Sequence, residues 1–189
     1  MRIEDAIKRI HSLPNCWVRV EQIRRVPGGL ELQLGVYKGR RGKKVNRWQV
    51  RCLGVREFQI PDVDGGGLAL YSGSHPAARQ FTARQAVLRW DGGDDTATIG
   101  ALWKAHRTAV DDWISFGHYV DIRAIAEKKF ICRGPDFLMR AYANALRLAG
   151  AHPELRLRPK RRAKIVGPKV LHFGSSCVVA CAFIALCQA

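Results

Sequence analysis

Carboxylates are scarce in this chain: 16 Asp and Glu stand against 32 Lys and Arg, a formal net charge of +16. A surface of balanced sign is thereby excluded, and a positive field that attracts polyanions is expected. The shortage is uneven. Residues 1–60 hold 14 basic and 5 acidic side chains, residues 61–122 hold 5 and 8, and residues 123–189 hold 13 and 3. Two basic ends flank a mildly acidic middle.

Other absences narrow the function classes. The six cysteines, at 16, 52, 132, 177, 181 and 187, form no C-x-x-C pair, which removes the usual zinc spacing. Cys16, Cys52 and Cys132 lie in apolar contexts and read as buried free thiols. No apolar h-region follows Met1, so a reducing cytoplasm is the expected compartment. "GSSC" lacks the context of a nucleophile elbow, and "DGGG" lacks the Lys and helix of a phosphate loop. Asp111 and Asp112 are adjacent, so on a helix they point about 100° apart and do not share a site. His75 reads as a turn or capping residue and His106 as a core histidine with one hydrogen bond. No catalytic residue, metal ligand or cofactor site is expected.

What is present is patterning for an α+β fold. Ile3, Ala6, Ile7 and Ile10 predict a helix over 2–13. "CWVRVEQIRRV" and "LELQLGVY" flank "PGG", a hairpin signal, with Leu30, Leu32, Leu34 and Val36 on one face and Glu31, Gln33 and Tyr37 on the other. Trp48, Val50 and Cys52 should then point inward, and Arg47, Gln49 and Arg51 outward. Gly54 suggests a bend, "LALY" a short strand and "QAVLRW" a last one. Ile99, Leu102, Trp103, His106, Val110 and Trp113 predict a helix over 97–114, and "RGPDFLMRAYANALRLAG" a second that stops at Gly150. The expected architecture is an antiparallel β-meander from the N-terminal half covered by helices from the C-terminal half. Residues 1–150 form one domain in this reading, 151–169 a basic Pro-containing linker and 170–189 an uncharged apolar tail.

The basic features carry the functional expectation. Arg40, Arg41, Lys43 and Lys44 sit in a Gly-punctuated loop between two strands, next to outward Arg47, Arg51 and Tyr37. A second run supplies Arg156, Arg158, Lys160, Arg161, Arg162 and Lys164. Clustered cations gain affinity by releasing counterions from phosphates whatever the base sequence, so nucleic acid without strong sequence specificity is the leading partner. The alternative is a protein-interaction module, of adaptor or toxin-neutralising type, on an acidic protein surface. A third reading is membrane attachment through 170–189: twenty residues would span roughly 30 Å as a helix. Against it, His172, Gly174, Ser175 and Ser176 leave only 177–187 uninterrupted, a length more typical of a core element.

Overall fold

The computed structural model describes residues 1–60, 66–111, 113–127, 130–159 and 167–188. The fold is α+β, and the chain divides into two compact units, Met1–Ala78 with Val166–Ala189, and Arg79–Ile165. Residues 1–150, expected as one domain, span both units, and the first unit includes the C-terminal segment as well.

In the first unit, α1 (Ile3–His11) buries Ile3, Ala6 and Ile10, with acids in its first turn and Lys8 and Arg9 in its last, as the helix dipole favours. Three long strands follow: β1 (Cys16–Val26), β2 (Gly29–Lys38) and β3 (Lys43–Gln59). Pro27 and Gly28 make the two-residue hairpin connection, since Val26 pairs with Gly29. Leu30, Leu32 and Leu34 face Cys52, Val50 and Trp48 across β2 and β3, and all six are buried. The period-2 alternation fixes which face meets the core. After β4 (Leu68–Tyr71) the chain leaves this unit and returns as β8 (Lys169–Phe173) and β9 (Ser176–Gln188). The sheet order is β1-β2-β3-β9-β8-β4, antiparallel throughout.

The expected tail is therefore the middle of a sheet. β9 pairs with β3 from Arg47↔Gln188 to Gln59↔Cys177. Val178, Val179, Ala180, Phe183 and Ala185 are buried. No described helix is long and apolar enough to cross a membrane; the apolar character of 177–187 belongs to strand burial.

The second unit has its own sheet, β6-β5-β7, from β5 (Gln85–Asp91), β6 (Ile131–Pro135) and β7 (His152–Leu157). Residues 152–157, expected within a linker, pair with β5 from Asp91↔His152 to Ala86↔Leu157. Pro153 is tolerated because β7 is an edge strand. A short helix, α2 (Pro76–Arg79), marks the chain boundary between the units. Helices α3 (Asp95–Val110) and α5 (Asp136–Leu148) pack on each other, and α5 also packs on all three strands of this sheet. Between them lies the short α4 (Ile122–Ala126). Asp94 caps α3 through the Ala97 N–H at 2.9 Å, so Asp94 and Asp95 open a helix while Asp91 ends β5. The buried stripe of α3 is Thr98, Leu102, His106 and Val110. Trp103, expected inside, is 48% exposed and packs edge-on against Phe116 at 5.2 Å.

Candidate nucleic-acid interface

The register of β1, β2 and β3 decides which side chains share the face opposite the core. Trp17 lies across from Tyr37, and Tyr37 from Lys44; Arg19, Gly35 and Arg47 form the next row; Gln22, Gln33 and Gln49 follow, then Arg24, Glu31 and Arg51. A bulge that skips Val45 opposite Val36 and Tyr37 brings Lys44 onto this face, and a second bulge, in β1 between Val20 and Gln22, completes the grid. It admits Glu21 as an extra residue and reverses the alternation beyond it, which brings Arg24 onto the same face as Arg19.

Glu21 ties the upper rows together. It accepts from Tyr37 O–H at 2.5 Å and from Lys44 Nζ at 2.5 Å through Oε1, and from Arg47 Nε at 3.2 Å through Oε2. Partial burial pushes its pKa up, but the hydrogen bonds from Lys44 and Tyr37 and the charges of Lys44 and Arg47 outweigh this and hold the carboxyl below its ordinary value. The same hydrogen bond raises the Tyr37 pKa. Lys44 and Arg47 are thus partly committed to an internal carboxylate.

Arg40, Arg41, Lys43 and Arg51 are exposed and make no ion pair with any described residue. Gly39 and Gly42 bound the loop with φ of 68° and 66°, and Gly42 N–H donates to Gly39 O at 3.1 Å. Such φ values need glycine, so the loop holds a defined turn that presents Arg40 and Arg41 at its tip.

Gly35 is the floor under Glu21. A Cβ there would sit 2.5 Å from Glu21 Oε1 and 2.7 Å from Tyr37 Cε2. Gly35→Ala is expected to displace both side chains and cost about 1–3 kcal/mol, the usual range for overpacking. A urea unfolding curve measures it; a midpoint equal to the parent's would show that the carboxylate cluster yields freely.

Arg156 and Arg158 belong to the second unit, not to this face. Arg156 pairs with Glu154 at 2.8 Å, and the Arg158 backbone N–H donates to Gln85 O at 2.9 Å. They join a second basic face: Arg133, Val87 and Arg156 form one row, and Ile131, Arg89 and Glu154 the next. Arg84 is exposed close by, its Nε donating to Arg158 O at 2.6 Å. Lys160, Arg161, Arg162 and Lys164 lie outside the described residues. Trp17, Arg19, Arg24, Arg84, Arg89 and Arg133 were not singled out by sequence reasoning; strand pairing is what gathers them.

The remaining polar candidates have local roles. His75 Nδ1 accepts from the Ala77 N–H at 3.3 Å, the capping role its turn suggested, and its ring stacks on Tyr71 at 4.6 Å. Burial, and then the charge of His172, lowers its pKa. His106, expected to make one hydrogen bond, engages both Tyr142 Oη and Ile114 O. Among the described residues no group of three or more His, Cys, Asp or Glu is arranged to hold a metal ion. Cys52 and Cys132 are buried thiols whose pKa values burial raises to about 12; Cys16 is only half-buried and Cys187 is exposed. No protein-family model, curated protein or solved structure matches the chain.

Proposed function

We propose that the protein is a non-enzymatic binder of polyanions, with nucleic acid as the principal partner and the two arginine-rich sheet faces as contact surfaces. The observation that carries the reading is the grid on β1–β3 with its loop. Arg19, Arg24, Arg40, Arg41, Lys43 and Arg51 project there beyond the cations that Glu21 engages. Long guanidinium side chains on a sheet surface reach phosphates, and phosphate contacts carry no base information directly, so weak sequence preference is expected. The six thiols are free, which suits a reducing cytoplasm.

Arg40, Arg41 and Lys43 changed together to Ala should weaken nucleic-acid binding and leave the fold intact. Exposed loop charges typically contribute within about 0.5 kcal/mol each to stability. Losing up to three phosphate contacts lowers the slope of log affinity against log salt by about two to three. Lys44 is left in place because it holds Glu21. Affinity titrations of parent and variant over a salt series test this; an unchanged slope would move the contact surface off the loop. A purified full-length protein whose absorbance ratio shows co-purifying nucleic acid at low salt, and loses it at high salt, supports the same reading.

A second reading, a protein-interaction module, is favoured by one feature of the second unit. An apolar groove of about 640 Å³ runs between α3 and α5, lined by Ala101, Ala105, Ala109, Ala141, Ala145 and Leu148. Leu148 is 91% exposed, and Lys104 also lines the groove. An acidic amphipathic helix suits such a surface. A stoichiometric protein complex that survives high salt and is lost in Leu148→Asp would favour this reading.

A further inference from the structure

The phosphate-binding reading leaves the aromatic end of the first unit's grid without a role. Trp17 and Tyr37 face each other across β1 and β2 and stack at 4.7 Å with an interplanar angle of 18°. Both rings are held from their far ends: Trp17 Nε1–H donates to Gly39 O at 3.3 Å, and Tyr37 O–H donates to Glu21. Gly42 keeps the rim of the indole clear, since a Cβ there would lie 3.3 Å from Trp17 Cζ2. Beside the half-buried indole lies a cleft of about 470 Å³, lined by Asn15, Trp17, Gly39 and Arg40. A cross-strand aromatic pair can serve hairpin stability alone. Here the indole also lines an open cleft, and the Gly39 carbonyl that anchors it also accepts the Gly42 N–H that closes the loop carrying Arg40 and Arg41.

We propose that the cleft against the Trp17–Tyr37 pair receives an unpaired base while Arg40, Arg41 and Lys43 take the adjoining phosphates, so that the ligand class of this face is single-stranded nucleic acid. The inference rests on the polyanion reading above and sharpens it. In a duplex the base faces are stacked on one another and cannot reach an aromatic ring; in a single strand every base offers a π-face, which makes stacking tolerant of sequence. Two rings already held by hydrogen bonds lose little freedom when a base is added, which favours affinity. Asn15 brings an amide to the base edge, and Arg40 a cation at the same wall of the cleft.

The test uses the full chain and a labelled oligothymidylate of about twelve nucleotides, within the site-size range of single-strand binding folds. Three competitors are matched to it in phosphate number: the same strand with abasic sites, a duplex, and a polyphosphate. The single strand should bind tightest, and the abasic strand should fall toward the polyphosphate. Trp17→Ala should lose between about five-fold and about a hundred-fold for the single strand, with duplex affinity unchanged, and Trp17→Phe should recover most of the loss. The abasic comparison needs no variant, so a folding defect in Trp17→Ala leaves the inference open to refutation. Equal binding of normal and abasic strands would overturn it while leaving the polyanion reading in place. No binding to any of the four at low salt would overturn that reading itself.

Discussion

Removal of residues 165–189 is expected to abolish the folded state of the first unit. Strand β9 pairs with β3 over most of its length and β8 joins β4 to the rest of the sheet, so the deletion strips the hydrogen-bonded edge of one strand and detaches another. It also removes Val170, Leu171, Phe173, Val178, Val179 and Phe183, all buried. At about 1.5–3 kcal/mol for each such side chain, the lost burial is of the same size as the roughly 5–15 kcal/mol by which a domain is usually stable. The bared edge of β3, seventeen residues long, would then be a template for aggregation. Thermal and urea melts followed by circular dichroism measure the effect, with recovery in the soluble fraction as a second readout. A truncated protein that melts like the parent would show that β1–β4 with α1 suffice for the unit. Val178→Asp should reproduce much of the loss in the full-length chain, because it places an unpaired charge in the sheet's interior.

The same segment shows why the tail was illegible. A half-buried strand is recognised when polar residues alternate with apolar ones, and β9 breaks that pattern from both sides. Residues 177–180 are buried without alternation, as in strands covered on both faces. Beyond them the alternation is real, with Phe183 and Ala185 inside, but the exposed positions are Ala182, Ile184 and Leu186. Uncharged residues on the outer face made the run resemble a membrane or core helix. In β2, by contrast, Glu31 and Gln33 separate Leu30, Leu32 and Leu34, and both the strand and its buried face were readable from the chain. β7 lies between these cases. Leu155 and Leu157 alternate with Glu154 and Arg156, a signal present in the sequence but obscured by Pro153 and Pro159 and by the density of charge.

The candidate site was legible only in its local part. The loop at 38–44 announces itself by glycine and charge, and Arg47 and Arg51 follow from the alternation of β3. Trp17, Arg19 and Arg24 required the pairing of β1 and the position of its bulge, which no local residue pattern announces. Glu21 is the instructive case. One carboxylate among many cations attracts no notice in the sequence, yet in the fold it draws Lys44 and Arg47 inward and orients Tyr37. Arg89, Arg133 and Arg156 come from three strands and lie at least 23 residues apart in sequence, so their sharing one face is a property of the sheet.

Substitution of His106 by Leu should be the most damaging single change in the second unit. Its side chain is buried between α3, α5 and the segment after α3. Ile114 offers a carbonyl, which only accepts, so Nε2 carries a hydrogen and donates at 2.6 Å. In the neutral ring Nδ1 then accepts from Tyr142 O–H at 2.7 Å. Burial raises the Tyr142 pKa and keeps that hydroxyl protonated. Leucine fills much of the space but leaves the Ile114 carbonyl and the Tyr142 hydroxyl without this partner. Each orphaned buried group costs about 1–3 kcal/mol, so a loss of about 2–6 kcal/mol is expected. Tyr142→Phe removes only the bond to Nδ1 and should cost about 1–3 kcal/mol. The double variant, His106→Leu with Tyr142→Phe, should fall short of the sum of the two singles by about 1 kcal/mol or more, because the second change removes a hydroxyl already stranded by the first. Urea unfolding of the four proteins closes the cycle. If His106→Leu stays within about 1 kcal/mol of the parent, the histidine is not a structural tie, and its place beside the cleft formed by Trp103, Arg107 and Phe116 would make it the first residue to test for a chemical role.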